Sequence, residues 1–185
     1  SLLTLPGITT DAFSAVTDRS ATLTAIFSAD SITAQGFEWG LQADLSDGAN
    51  VPADTTDGST AIETELTGLT SGTVHYFSAF ATNASGTTHG DTLSLLTTPG
   101  ITTEAASAAT DTSATFNATF SADSITDQGF VWSLQANLND GTSVSADTTD
   151  GSTAIDTALT GLMPGKMHYF SAFATNASGT THGDT

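Results

Sequence analysis

The sequence predicts an all-β protein of two antiparallel β-sandwiches in tandem, the second lacking its own last strand, and three observations predict it. The first is repetition. Residues 1–92 align without a gap on residues 94–185 at an offset of 93, with 70 identities in 92 positions, and the string ATNASGTTHGDT of 81–92 returns unchanged at 174–185. A fixed period marks an array of like units, and a unit of roughly 90 residues suits one β-sandwich domain. The second is a period of two: Ala21, Leu23, Ala25 and Phe27 alternate with Thr22, Thr24 and Ile26, the pattern of a half-buried strand. The third is punctuation. Asp47-Gly48, Asp57-Gly58 and Ser71-Gly72, with Asp140-Gly141, Asp150-Gly151 and Pro164-Gly165 in the second copy, stand between the apolar runs and supply turn positions. No segment carries a helical period.

Taken in order through the second copy, strand A falls near Ile101–Ala106, B near Ala114–Phe120, C near Gly129–Leu134 and a short C′ near Ser143–Ala146. Strand E falls near Ala154–Leu159 and F near Met167–Thr175. In the first copy the same alternation puts Phe37, Trp39 and Leu41 on one face of C. It puts Ile62, Thr64 and Leu66 on one face of E, and His75, Phe77, Ala79 and Ala81 on one face of F. Thr and β-branched or aromatic residues fill these runs, as pleated half-buried surfaces prefer. Strand G of the first copy is Thr92–Thr97, with Leu93 and Leu95 spaced to point inward. Thr98-Pro99-Gly100 then leads directly into the next unit. So short a linker favours a stiff rod over a flexible tether.

The segments GLTSGTVHYFSAFATN (68–83) followed by ASGTTHGDTLSLLTT, and GLMPGKMHYFSAFATNASGTTHGD in the second copy, resemble the ends of fibronectin type III-like domains found in tandem on bacterial surface and secreted proteins. The resemblance runs upstream through GFVWSLQANLNDGTSV and the strand beginning SATF, so it covers essentially each whole repeat. It implies seven strands in two antiparallel sheets per repeat. One departure stands out: the aromatic of the tyrosine corner is usual six residues after the Leu of the E-to-F turn, where this chain has His75 and His168, with Tyr76 and Tyr169 one position later. Either the imidazole takes over the corner hydrogen bond or the register slips by one.

Composition narrows the function. Twenty acidic residues against one Arg and one Lys give a net charge of −18, which excludes the basic face that phosphate binding requires. With no Cys, disulfides, thiolate metal sites and cysteine catalysis are out. No run approaches the roughly 18–20 apolar residues of a bilayer-spanning helix. The absence of an initiator Met and of a basic-then-apolar leader reads as a mature or excised piece. The repeats carry net charges of −10 and −8 (eight Asp, three Glu and Arg19; eight Asp, one Glu and Lys166), an acidity that resists precipitation and suits saline surroundings. The first copy has no lysine, so a Lys-to-Asn crosslink cannot staple it.

The chain ends are complementary. Thr185 corresponds to Thr92, just before the leucines that form G in the first copy, while Ser1-Leu2-Leu3-Thr4 repeats Ser94-Leu95-Leu96-Thr97. The expected organisation is therefore a strand G remnant or donor strand at 1–5, one sandwich at 6–98 and a second at 99–185. The second is completed by a neighbouring copy or by continuing chain. A sandwich short of an edge strand exposes backbone donors and acceptors, plus apolar surface at roughly 1.5–3 kcal/mol per unburied Leu. Two readings stay open: a window on a continuous array, or head-to-tail polymerisation by β-augmentation, which propagates without closing. The candidate polymer interface is Leu2, Leu3, Leu5, Met167, Tyr169 and Phe173, and the expected partners are copies of the chain itself.

Other candidates are sparse. Asp44, Asp47, Asp54 and Asp57, with Asp140, Asp147 and Asp150, crowd one loop region of each copy. Hard oxygen ligands at that density could hold calcium, although the spacing is not an EF-hand loop, and no other cofactor is expected. Asn83, Asn117 and Asn176 stand in Asn-X-Ser/Thr sequons, acceptors for N-glycosylation if exposed. His89 and His182, beside Asp91 and Asp184, read as loop hydrogen bonds rather than bases. Paired carboxylates of the glycosidase kind cannot be singled out among twenty, so no enzyme is expected. Tyr76, Phe80, Tyr169 and Phe173 share the face of F opposite His75 and Phe77, an aromatic stripe suited to a neighbour if it faces outward. Trp39 and Trp132 fall on the inward face of C, which weakens the alternative of a binding or spacer module of an adhesin or of a secreted polysaccharide-degrading enzyme. The expectation is an extracellular, cell-surface structural protein built as a rod or filament.

Overall fold

The structure is a computed structural model that describes residues 2–28, 31–53, 61–121, 124–146 and 153–185. Asp54, Asp57, Asp147 and Asp150, with the turns Asp57-Gly58 and Asp150-Gly151, lie outside the described residues. The chain divides into two units, Ser1–Thr97 and Thr98–Thr185. Among the described residues every regular element is a strand.

Unit 1 contains β1 (Gly7–Thr10), β2 (Ser20–Ser28), β3 (Ala34–Gly40), β4 (Ala49–Pro52), β5 (Ala61–Thr67), β6 (Val74–Asn83), β7 (Gly86–His89) and β8 (Leu93–Leu96). One sheet has the order β1-β2-β5. The other has the order β4-β3-β6-β7, with β8 also paired to β6. Every pairing is antiparallel. The alternation read in β2 is the alternation observed: Ala21, Leu23, Ala25 and Phe27 are buried, while Ile26 between them is exposed. His75, Phe77, Ala79 and Ala81 line the inner face of β6, opposite Phe37, Ile62 and Leu66. Leu41 departs from the expectation. Strand β3 stops at Gly40, and the Leu41 N–H is taken by Asp47 Oδ2 at 2.9 Å, which turns the backbone out of the sheet and leaves Leu41 exposed, as is its counterpart Leu134.

Unit 2 contains β9 (Gly100–Ser107), β10 (Ser113–Ser121), β11 (Asp127–Ser133), β12 (Thr142–Ser145), β13 (Ala154–Thr160), β14 (Tyr169–Asn176) and β15 (Gly179–His182). Its sheets run β13-β10-β9 and β12-β11-β14-β15.

The repeats place a phenyl ring differently. In unit 1, Phe13, though exposed, packs edge-on against Phe77 with centroids 6.1 Å apart. In unit 2, Ala106 stands at the position of Phe13 and Phe116 at that of Leu23. Phe116 is buried and stacks on Phe170 at 4.1 Å with an interplanar angle of 3°.

A feature not read from the sequence is that the last strand comes in two pieces. β7 pairs with Phe80–Asn83 and β8 with Val74–Phe77, and the break falls at Gly90. There the Ala79 N–H leaves its sheet to reach Thr10 Oγ1 of β1 at 3.0 Å, while Ser78 Oγ donates to the Gly90 carbonyl at 2.8 Å. A Cβ on Gly90 would lie 2.7 Å from the Thr10 backbone nitrogen, so only glycine lets the two sheets close in this way. Unit 2 repeats the arrangement with Thr103, Ala172, Ser171 and Gly183.

Candidate functional site

The two units differ most at the edge of the F strand, β6 in unit 1 and β14 in unit 2. In unit 1 this edge is closed. Val74 pairs with Leu96, His75 with Leu95, Tyr76 with Ser94 and Phe77 with Leu93. Leu95 is 1% exposed and sits in the core, where burial of such a side chain contributes about 1.5–3 kcal/mol.

Just past β8, Thr97 locks the corner that precedes β6. The Thr97 N–H donates to the Thr73 carbonyl at 3.2 Å, its Oγ1 accepts from the Thr73 N–H at 3.0 Å, and its hydroxyl donates to the Thr70 carbonyl at 2.7 Å. That hydroxyl is buried, and all its capacity is used, as a buried polar group requires. Below it lies His75, 1% exposed and packed on Trp39. Its Nε2 accepts the Thr70 N–H at 3.3 Å, so Nδ1 carries the proton that it donates to the Thr73 carbonyl at 3.0 Å. The imidazole has taken over the corner hydrogen bond, and the register does not slip: Tyr76 is the outer, half-buried ring. Burial holds the His75 imidazole below its ordinary value, with the bond to Thr73 opposing in part.

In unit 2 the corresponding corner differs in residues and in structure, with Met163, Pro164, Lys166 and Met167 where unit 1 has Thr70, Ser71, Thr73 and Val74. Strand β14 begins only at Tyr169, and Met163 and Met167 are exposed, Met167 at 71%. The corner loop closes on itself: the Lys166 N–H and His168 Nε2 both reach the Met163 carbonyl at 3.3 Å. His168 therefore carries its proton on Nε2, the opposite tautomer to His75. Its Nδ1 is shielded from solvent with no hydrogen-bond partner. Phe170 and Leu159 are only half-buried where Phe77 and Leu66 are buried.

Leu2, Leu3 and Leu5 are exposed, Leu2 at 91%. The segment is nevertheless anchored. Ser85 Oγ donates to the Leu3 carbonyl at 2.6 Å and Asn83 Nδ2 to the Thr4 carbonyl at 2.8 Å.

Of the remaining interface candidates, Tyr169 is half-buried beside β11. Phe173 is 8% exposed, because β14 runs between β11 and β15 there and the His182 ring covers it at 6.0 Å; it is internal to its unit and not available to a neighbour. Phe80 is covered in the same manner by His89 at 6.2 Å, so the aromatic stripe is largely closed by the histidines of β7 and β15. His89 Nε2 lies 3.7 Å from Glu38 Oε2 rather than bonding Asp91. Trp39 and Trp132 are half-buried, packed against the cores and against His75 and His168.

The sequons are not on free positions. Asn83 and Asn176 are 4% exposed, and the Oδ1 of each accepts a turn N–H, from Ser85 at 2.8 Å and from Ser178 at 2.9 Å. Asn117 Nδ2 donates to the Ala105 carbonyl at 2.8 Å. The amides cap turns and bridge strands, which sequon spelling alone does not disclose.

The described aspartates act in turns. Asp47 accepts the Leu41 and Gln42 N–H groups, and these bonds, the Leu41 one foremost, hold its carboxyl below the ordinary value. Asp140 is lowered chiefly by the Ser133 hydroxyl and Asp44 by Ser46. Among the described residues no three His, Asp or Glu side chains converge as metal ligands would.

No protein-family model matches the chain. It is similar to the receptor-type tyrosine-protein phosphatase eta of chicken, 25% identical over 182 residues, which is 94% of this chain and 12% of that protein. The chain thus spans a small fraction of that relative's length. Among solved structures it is similar to a two-fibronectin type III domain segment of chicken tenascin, with a TM-score of 0.43 at 16% identity, over 97% of this chain and 99% of that one.

Proposed function

We propose that this chain is a structural protein of the cell exterior, whose fibronectin type III-like sandwiches join in series into a rod or filament. In this reading each sandwich is completed along its F strand by a Ser-Leu-Leu-Thr segment. The observation that carries the reading is that β8 and Thr97 close the β6 edge immediately before Thr98-Pro99-Gly100 leads into the second repeat, and that the same Ser-Leu-Leu-Thr stands at 1–4 immediately before the first. A strand in that place completes the edge of one sandwich and links it to the next. The strong acidity supports the reading as well, since it keeps exposed units from collapsing non-specifically onto one another.

Electron microscopy of the purified protein tests the proposal. Long fibres of uniform width are expected. Compact single molecules that are retained on a carbohydrate column would favour a binding module instead.

A further inference from the structure

We propose that the corner before β6 in unit 1 is an acid-sensitive latch on β8: protonation of His75 breaks the bonds that hold Thr70 and Thr73 in place, and with them the grip of those residues on Thr97. The proposal goes beyond the structural reading above and holds whether or not copies assemble.

Two side chains share the same pair of peptide groups. From the core side, His75 Nε2 accepts the Thr70 N–H at 3.3 Å and Nδ1–H donates to the Thr73 carbonyl at 3.0 Å. From the end of β8, the Thr97 hydroxyl donates to the Thr70 carbonyl at 2.7 Å and accepts the Thr73 N–H at 3.0 Å, while the Thr97 N–H shares the Thr73 carbonyl at 3.2 Å. A neutral imidazole in this one tautomer satisfies both peptides. A protonated ring is a donor at both nitrogens, so the new Nε2–H meets the Thr70 N–H, donor against donor. That bond is lost, the Thr70 N–H is stranded, and the segment on which Thr97 is fastened must move. Thr98, the next residue, begins unit 2, so the latch holds the point where the chain leaves unit 1.

Among the described residues no acidic group faces the ring to offset its charge. Trp39 of β3 lies 5.9 Å from it, and Leu95 of β8 stands opposite in register. Glu38 of β3, paired with Ser78, and Tyr76 of β6 lie on the outer face of the sheet, away from the ring. Neither β8 nor residues 68–73 carry an ionisable side chain. The charged groups that reach this corner come from the connection ahead of β2. Ser71 Oγ donates to Asp18 Oδ2 at 3.5 Å, the Leu69 N–H donates to the Arg19 carbonyl at 3.0 Å, and Asp18 is itself 3.6 Å from Arg19 Nε. Burial therefore holds the ring below its ordinary value of 6.5. The latched form disfavours the proton, and the open form, with the ring in water, takes it up. The latch is tight above pH 6.5 and loosens as pH falls below that value.

Native-state hydrogen exchange of the full chain between pH 7.5 and 5, corrected for intrinsic rates and repeated in low urea, tests the latch, with histidine ring ¹⁵N titrations alongside. The Thr73 and Thr97 amides are expected to exchange by a local opening that low urea does not speed. They are expected to accelerate by up to about thirtyfold between pH 6.5 and 5, the most that one proton allows. The Ala79 amide, held by Thr10 Oγ1, is expected to exchange more slowly and by an opening that urea promotes. In His75→Gln the acid acceleration at Thr73 and Thr97 is expected to vanish, and in Asp18→Asn to persist. Linkage is reciprocal, so Thr97→Val, which cuts the latch from the other side, is expected to raise the His75 titration midpoint toward 6.5. That readout does not depend on how well His75→Gln folds. Exchange at Thr73 and Thr97 that ignores acid, or that matches Ala79 in rate and urea dependence, overturns the proposal. So do an acid response that survives His75→Gln, one that Asp18→Asn abolishes, and a His75 midpoint that Thr97→Val leaves in place.

Discussion

Units 1 and 2 are identical at 70 of 92 aligned positions and differ most at the corner before the F strand, where Met163, Pro164, Lys166 and Met167 replace Thr70, Ser71, Thr73 and Val74. With β8 in place, the corner before β6 is threaded by Thr97, His75 is fully buried, and Phe77 and Leu66 are sealed. In unit 2, β14 starts two residues late, the corner bonds to itself, the imidazole adopts the other tautomer, and Phe170 and Leu159 are half-buried. The clamp of Thr103 on Ala172 and Gly183 matches that of Thr10 on Ala79 and Gly90 within 0.1 Å at the Thr–Ala bond, 3.0 Å in each.

The largest test of this contrast converts unit 1 toward unit 2. Leu95→Ala removes the side chain that β8 contributes to the core, and a loss of about 2–5 kcal/mol is expected for unit 1. Denaturant unfolding followed through Trp39, with Trp132 replaced by Phe, reads it out; a loss below 1 kcal/mol on that scale, well under the range for a core leucine, would show that the edge is not part of the core.

Next in size is Thr97→Val, which keeps the shape but strands the Thr73 N–H and the Thr70 carbonyl. About 1–3 kcal/mol is expected from such unsatisfied groups, and amide exchange at Thr73 is expected to accelerate.

Smaller again is a pH effect confined to unit 1. The folded His75 resists protonation because it is buried, so its folded value lies below the unfolded one near 6.5. The unfolded state then binds the extra proton, so the stabilisation is complete above 6.5 and declines as pH falls below it toward the folded value. The slope is at most about 1.4 kcal/mol per pH unit for one proton. His75→Gln is expected to flatten that slope, as measured by urea titrations between pH 5 and 7.5.

The smallest effect is expected of the double substitution Phe13→Ala with Leu23→Phe, which imports the ring placement of unit 2. Phe13 is exposed and total side-chain volume is roughly kept, so less than about 1.5 kcal/mol should be lost.

How far all this was legible in the sequence follows from which forces were involved. Alternation in β2, β5 and β6 is a direct imprint of one buried face, and Ala21, Leu23, Ile62 and Phe77 could be placed inward from residue type alone. The closing strand of the first unit was legible in the same way: Leu95 has the inward spacing and is buried where β8 pairs with β6. What escaped were features set by single polar bonds across long sequence separations. Gly90 and Thr10 lie 80 positions apart, and nothing local marks glycine there as the point where β7 gives way to β8. Asn83 and Asn176 spell a sequon, yet their amides are committed to turns. Phe173 obeys the outward period of β14 but is covered by His182, a partner visible only once β15 is paired.

The central proposal is that each F strand, at residues 74–77 and at residues 167–170, is completed by a Ser-Leu-Leu-Thr strand when the sandwiches stand in series. Native-state hydrogen exchange on the full chain measures this directly, comparing amides 74–77 with amides 167–170 from dilute to concentrated solution. The account predicts strong protection at 74–77 at every concentration, and protection at 167–170 that is weak when dilute and rises as copies associate. Equal protection of the two stretches at the lowest concentration would contradict it.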